Sequence, residues 1–455
     1  MGVQTFEQRD EFLRKPIAEK AITLLRSEAD VSPMIIDGSW GTGKSEFCQK
    51  MISLFDQIQQ EEDNQQKHTL IYIDAFASDH NNEPLLTILA EITKRTPKSK
   101  SKKEIIKKIL PAIRFITKTG LKAGANHLLK QDSSEIVENF ENEILATAEK
   151  TIDAGIETLL KDFEEAEKNM HALKSAIDEI TSETPMVIFI DELDRCRPDY
   201  AINLLEIIKH TFVSDGLQFV LVTNSHQLRA SINHCYGANV DAARYLDKFL
   251  KFRFRLPKLV QENFRNRNIS IQHFKSLIVK SNILETSKIA ELSFPMKLIE
   301  VKDLSLREVE TFVRHLEIYN TLSNPTDRLT NSDMHYIFLS KFVLGVAIAL
   351  WSPDLASSIL ERTARSEDIC AFLDIQKISF HEFRDSSCFH AFCYILSRNN
   401  SPNLIDVLPL QTVESLLDET FLDIYPSSFF DLEINELSAP ITNAINTMNF
   451  VALDH

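Results

Sequence analysis

The sequence is short of glycine and proline, with ten and fifteen among 455 residues, which excludes fibrous architecture and long low-complexity segments. It has no excess of positive charge. A net charge of −16 excludes a protein that coats nucleic acid with its whole surface, while leaving room for local basic patches. No apolar run reaches the ~18–20 residues that a membrane-spanning helix needs. The nearest, FVLGVAIALW at Phe342–Trp351, is roughly half that length and is bracketed by Lys341 and Pro353, so it reads as a buried core helix. The opening MGVQTFEQRDEFLRK has no apolar signal core, and Phe6 stands where a myristoylation signal wants Ser or Thr. Six scattered cysteines (Cys48, Cys196, Cys235, Cys370, Cys388, Cys393) include no C-x-x-C pair. Free thiols in a reducing, cytoplasmic setting are expected. The group His381, Cys388, His390 and Cys393 reads as reduced core rather than a zinc site, because on a helix residues five apart diverge.

What is present is concentrated in a few places. The short apolar run Met34–Asp37 enters the segment GSWGTGKS, Gly38–Ser45, which satisfies G-x-x-x-x-G-K-[ST]. Glu46 to Gln60 continues with Phe47, Met51, Ile52 and Phe55 at helical spacing. Strand, glycine loop and helix is the context such a loop requires: its backbone N–H groups turn inward to cradle phosphates and the helix N-terminus adds positive charge. The expected nucleotide-binding set is Gly38, Trp40, Gly41, Thr42, Gly43, Lys44, Ser45 and Glu46. Lys44 would reach the β- and γ-phosphates, and the Ser45 hydroxyl would ligate Mg²⁺. Trp40 stands at a position with no required phosphate contact and is expected to point outward and pack.

Hydrolysis needs a second, acidic element, and Met186–Glu192 (MVIFIDE) supplies it. The apolar run reads as a central strand that delivers Asp191 to its C-terminal edge, where it can hold the metal with Ser45. Glu192 is the natural base or positioner for the attacking water, with Asp194 as its competitor. Another apolar run, Leu217–Thr223, ends beside Asn224, which would sense the γ-phosphate or else cap the helix beginning at Ser225. With Thr69–Asp74 and Lys251–Leu256 as further strands separated by helices, the pattern predicts an α/β three-layer parallel-sheet core with a helical insertion. The expected division is 1–96 and 184–257 for the two parts of the core, 97–183 for the insertion, and 258–455 for an α-helical C-terminal domain.

The order of these pieces resembles the KAP family of P-loop NTPases, from about Asp10 to Leu355. The resemblance rests on GSWGTGKS with its Trp, on IDAFASDHNNEPLLTILAEI after the second strand, and on VIFIDELDRCRP. Arg244–Phe249 followed by FRFRLP, and Ser305–Glu310 (SLREVE), match further blocks. Two departures stand out. Asp74-Ala75-Phe76 replaces the family's Asn-Ala-Trp, and the insertion lacks the spanning helices often found there.

The resemblance implies ATP, a role in bacterial defence against phages and plasmids, and functions for Arg195, Lys248 and Arg307. Arg307 would couple the helical region to nucleotide state, and a salt bridge is the simpler reading for each. Basic residues from Lys98 to Lys122 interleave with isoleucines. They read as a hairpin packed on the acidic helices that follow, with a membrane or nucleic-acid surface as the alternative. The expectation is an ATPase with a protein partner and homo-oligomers, against a non-hydrolysing nucleotide switch or scaffold.

Overall fold

A computed structural model describes residues 5–62, 67–81, 83–95, 171–182, 184–212, 214–262, 265–281, 283, 292–330, 336–374 and 434–453. The basic stretch Lys98–Lys122 and the group His381, Cys388, His390 and Cys393 lie outside these residues. The chain divides into two compact units, Met1–Leu256 and Pro257–His455.

The first unit is built on a five-stranded parallel sheet. Its strands are β1 (Met34–Asp37), β2 (Thr69–Asp74), β3 (Met186–Asp191), β4 (Leu217–Thr223) and β5 (Phe252–Arg255), in the order β2-β3-β4-β1-β5. Every residue of β1 and β3 is buried, as a sheet covered on both faces demands. Alternate residues serve opposite layers because strand side chains alternate with period two. Met34, Ile36, Val187, Phe189, Val220 and Val222 pack on one face against α1 (Lys15–Leu25) and α2 (Lys44–Glu61). Ile35, Ile188, Ile190, Phe219 and Leu221 pack on the other. A short helix α3 (Ala75–Ser78) follows β2, and that second face is then covered by α4 (Pro84–Arg95) and by α5 at 171–182. The same layer includes α6 (Pro198–Thr211), α7 (Ser225–Tyr236) and α8 (Ala242–Asp247).

The strand order positions the site. β4 lies between β1 and β3, so the strand entering the glycine loop and the strand carrying Asp191 flank the C-terminal end of β4. Ligands of open parallel sheets bind beyond these carboxyl ends.

The second unit is helical around a core that includes Phe274, Phe294, Phe312, Tyr319 and Phe342. It opens with a hairpin, β6 (Leu259–Glu262) against β7 (Arg265–Asn268), where the sequence pattern predicts only helix. The segment LVQENFRNRN carries no alternating apolar series; its pairing is a matter of backbone hydrogen bonds. The helices are α9 (Ile269–Ser281), α10 (Ser293–Val301), α11 (Leu306–Leu322), α12 (Tyr336–Trp351), α13 (Pro353–Leu360), α14 (Ser366–Phe372) and α15 (Ile434–Leu453). The apolar run of α12 is core, with Leu344, Val346, Ala347 and Ile348 fully enclosed. Among the described residues no helix is long and apolar enough to cross a membrane.

α12 meets α15 at Gly345, where a Cβ would stand 2.6 Å from the Ala444 Cβ and 2.7 Å from the Ile441 carbonyl oxygen. Neither neighbour is the free end of a flexible chain, so the helices must part. Gly345→Ala is expected to lower stability by about 1–3 kcal/mol, the usual cost of overpacking. Urea unfolding measures this, and an unchanged midpoint would show that the contact gives way freely.

Candidate functional site

At the end of β1 the backbone turns through Gly41 (φ 73°) and Gly43 (φ 76°), both in the left-handed region that a side chain disfavours. Gly43 is the N-cap of α2, which has no side-chain cap, so its first N–H groups face the loop. Lys44 folds back over the loop, its Nζ donating to the carbonyls of Gly38 (2.7 Å) and Ser39 (3.1 Å). Burial pulls the Lys44 ammonium below its ordinary range, against the attraction of Asp194, Asp191 and Asp37. The carboxylate of Glu46 turns aside to Lys50 at 2.7 Å.

Asp191 ends β3 at 1% exposure. Tyr72 Oη donates to its Oδ2 (3.0 Å) and the Glu192 amide to its Oδ1 (2.8 Å), and the nearby Ser45 hydroxyl favours its charged form. Burial raises its proton affinity and these donors oppose the rise. Lys44, Ser45 and Asp191, separated by about 150 residues of sequence, thus form one cluster.

Glu192 adopts φ 59° and ψ 25°. A left-handed conformation costs a non-glycine residue roughly 1–2 kcal/mol, and such strain gathers at functional sites. Its carboxylate accepts from Arg195 Nη1 at 2.9 Å, the salt bridge that was the simpler reading of Arg195. Burial raises the Glu192 proton affinity, Arg195 opposes this, and Asp74, Asp191 and Asp194 add to it.

Other expected residues lie differently. Asn224 Oδ1 accepts from the His226 amide at 3.1 Å and caps α7, the second of its two sequence readings. The polar side chain turned inward at the end of β4 is Thr223, fully buried, whose Oγ1 donates to Asp194 Oδ1 at 3.0 Å. Trp40 is half exposed, yet its indole N–H reaches Asp194 Oδ2 at 2.5 Å. The exposed Lys248 stacks its ammonium over the Tyr245 ring at 5.5 Å. Arg307, also exposed, belongs to the second unit, in the first turn of α11 under a Ser305–Glu308 capping box.

Two further residues escaped the sequence reading. Asp79, after β2, accepts from the Arg197 backbone N–H and from its Nε, both at 3.0 Å, which ties the DAFASDH block to the segment that follows Asp191. Arg14 is 3% exposed beside the loop, where its Nη1 donates to the Thr42 carbonyl at 2.9 Å. Its Nε and Nη2 make no hydrogen bond among the described residues. Burial pushes this guanidinium down to about 10, against the pull of Glu46, Asp10 and Glu11. The only sequence signal for Arg14 is an arginine just ahead of Pro16.

A cation this deep adds positive potential to the loop at a desolvation cost. Arg14→Met is therefore expected to weaken ATP binding about tenfold with little loss of thermal stability, because apolar replacement of a buried ion is often neutral. Equilibrium dialysis beside a thermal melt would decide; unchanged affinity with lost stability would make Arg14 a structural residue only.

The profile of the KAP family P-loop domain matches residues 14–323. Among solved structures, the ORC2 protein of Aeropyrum pernix in ADPNP–ADP complexes is 14% identical, with 96% of this chain and 95% of that chain covered and a TM-score of 0.34. The ORC1 protein of the same organism in complex with DNA is 14% identical, with 98% and 93% covered and a TM-score of 0.34. AMPPCP-bound DnaA from Aquifex aeolicus is 10% identical, with 87% and 96% covered and a TM-score of 0.29. Likenesses this distant say nothing about ligand or partner. No curated protein sequence matches the chain.

Proposed function

Because the chain belongs to the KAP family of P-loop NTPases, we propose that it is a Mg²⁺-dependent ATPase whose turnover drives a conformational or assembly change. The observation that carries this reading is the meeting of Lys44 and Ser45 with the buried Asp191 carboxylate, one residue ahead of a strained Glu192. In this reading the backbone N–H groups of Gly38–Glu46 hold the phosphates, and Lys44 neutralises charge on the terminal one. Ser45 and Asp191 fit a hard divalent cation. Both are oxygen donors brought near each other by the fold, and the carboxylate is buried. Mg²⁺ would supply charge neutralisation across the phosphates when bound.

Glu192 then orients the attacking water and accepts its proton. Asn224 keeps its amide NH₂ for the γ-phosphate while its oxygen caps α7. Arg307 is assigned the coupling of nucleotide state to the second unit, and this rests on the family resemblance. So does the wider role: defence against phage in a bacterial cytoplasm, with a protein effector or a phage component as partner and with homo-oligomers. Phage plating on cells carrying the wild-type protein or Lys44→Ala tests that role; equal plating would refute it.

One contact favours a second reading. Arg195 engages the Glu192 carboxylate in an ion pair at 2.9 Å, which suits a switch that binds ATP without hydrolysing it. Single-turnover measurement with labelled ATP separates the two. Release of phosphate supports the ATPase, and bound ATP recovered intact supports the switch.

A further inference from the structure

Glu192 and Asp194 are both acids just beyond β3, and the hydrogen bonds around them divide their work. Asp194 is 8% exposed, and each of its oxygens accepts from a different element: Oδ2 from Trp40 Nε1 of the glycine loop at 2.5 Å, Oδ1 from Thr223 Oγ1 of β4 at 3.0 Å. Thr223 is tied back in turn, its carbonyl accepting from the Gly38 amide at 3.3 Å. The path Gly38–Thr223–Asp194–Trp40 therefore closes on itself through residues 38–40, the first half of the glycine loop. Just outside this ring, the Ser225 amide donates to Asp37 Oδ1 at 2.9 Å, which fastens the start of α7 to the end of β1.

We propose that Asp194 is a positioning residue that clips the tip of the phosphate loop to the end of β4, so that nucleotide held by the loop is registered at Thr223 and α7. Three observations support this assignment over a role as base. Both carboxylate oxygens are engaged by donors from the protein. The indole donor is set on the loop by the side chain that its phosphate-binding role leaves unused. Thr223, with no exposed surface, has no other use for its hydroxyl among the described residues. The clip also keeps Asp194 near Lys44, where its attraction favours the ammonium form against burial.

The proposal rests on the ATPase reading only for its kinetic consequences; the structural clip stands apart from turnover. The chain has two tryptophans, so Trp351→Phe leaves Trp40 as the sole indole emitter. In that background ATP is expected to shift Trp40 emission, and Asp194→Asn to abolish the shift while ATP still binds. A shift that survives Asp194→Asn overturns the clip.

In steady-state assays, Asp194→Asn, Trp40→Phe and Thr223→Val should each lower kcat about tenfold with KM changed less than about threefold. Thr223→Ser, which keeps the hydroxyl, should restore turnover. The double variant Trp40→Phe with Asp194→Asn should be no slower than the slower single variant, because both break one path. Multiplying effects overturn the proposal. So does an Asp194→Asn protein that traps ATP at background turnover, which would make Asp194 the base. If the wild-type protein proves unable to hydrolyse ATP, the ATPase reading falls, and the emission result alone decides the clip.

Discussion

Glu192→Gln is expected to bind ATP and stop, with kcat reduced about 10²- to 10⁴-fold, the contribution usual for general-base catalysis. The amide keeps the side chain's length and its acceptor toward Arg195, and the strained backbone at φ 59° is unchanged, so binding should persist. The wild-type protein should also show a characteristic pH dependence. The base must be unprotonated, and burial together with the neighbouring Asp74, Asp191 and Asp194 raises its proton affinity in the folded protein. Activity should therefore fall as pH drops through a value above the ordinary glutamate range, not within it. Rapid-quench assays across pH would read both effects. Turnover within about threefold of wild type in the variant would remove Glu192 from the mechanism.

Lys44→Ala should instead fail at binding. A charge-assisted hydrogen bond to phosphate contributes roughly 1.5–3 kcal/mol, so ATP affinity should fall about 10- to 150-fold. The change also strips the Gly38 and Ser39 carbonyls of the donor that gathers them, which loosens the loop itself. Lys44→Arg is not expected to rescue, because a planar guanidinium does not fit where a compact ammonium is surrounded by backbone. Titration calorimetry with ATP in the presence of Mg²⁺ is the measurement. Wild-type affinity in Lys44→Ala would overturn the reading of this loop as the phosphate site.

The sheet was legible because a strand covered on both faces reads as an unbroken apolar run. Met34–Asp37, Thr69–Asp74 and Leu217–Thr223 coincide with the sequence reading, and Met186–Ile190 falls one residue short. The hairpin Leu259–Asn268 left no such trace. At the site, the motif residues announced themselves by spacing, whereas residues joined only in space did not. Neighbouring strand residues face opposite ways, so whether Thr223 or Asn224 turns inward depends on a register that a single strand does not carry. The outward turn expected of Trp40 holds for half its surface, but its N–H meets a residue 154 positions away. Nothing in the local pattern around Trp40 or Asp194 encodes that pairing.

The apolar layer on the second face of the sheet has a consequence for how this protein can vary. α4 ends at Arg95, and α5 at 171–182 leads into β3. Leu85, Ile88 and Ile92 of α4 and Leu173, Ile177 and Ile180 of α5 share one apolar layer. Ile35 of β1 and Phe219 and Leu221 of β4 belong to the same layer, so the strands that lead to the glycine loop share one core with α4 and α5. Packing changes at α4 or α5 therefore reach the strands that end at Asp37 and Thr223.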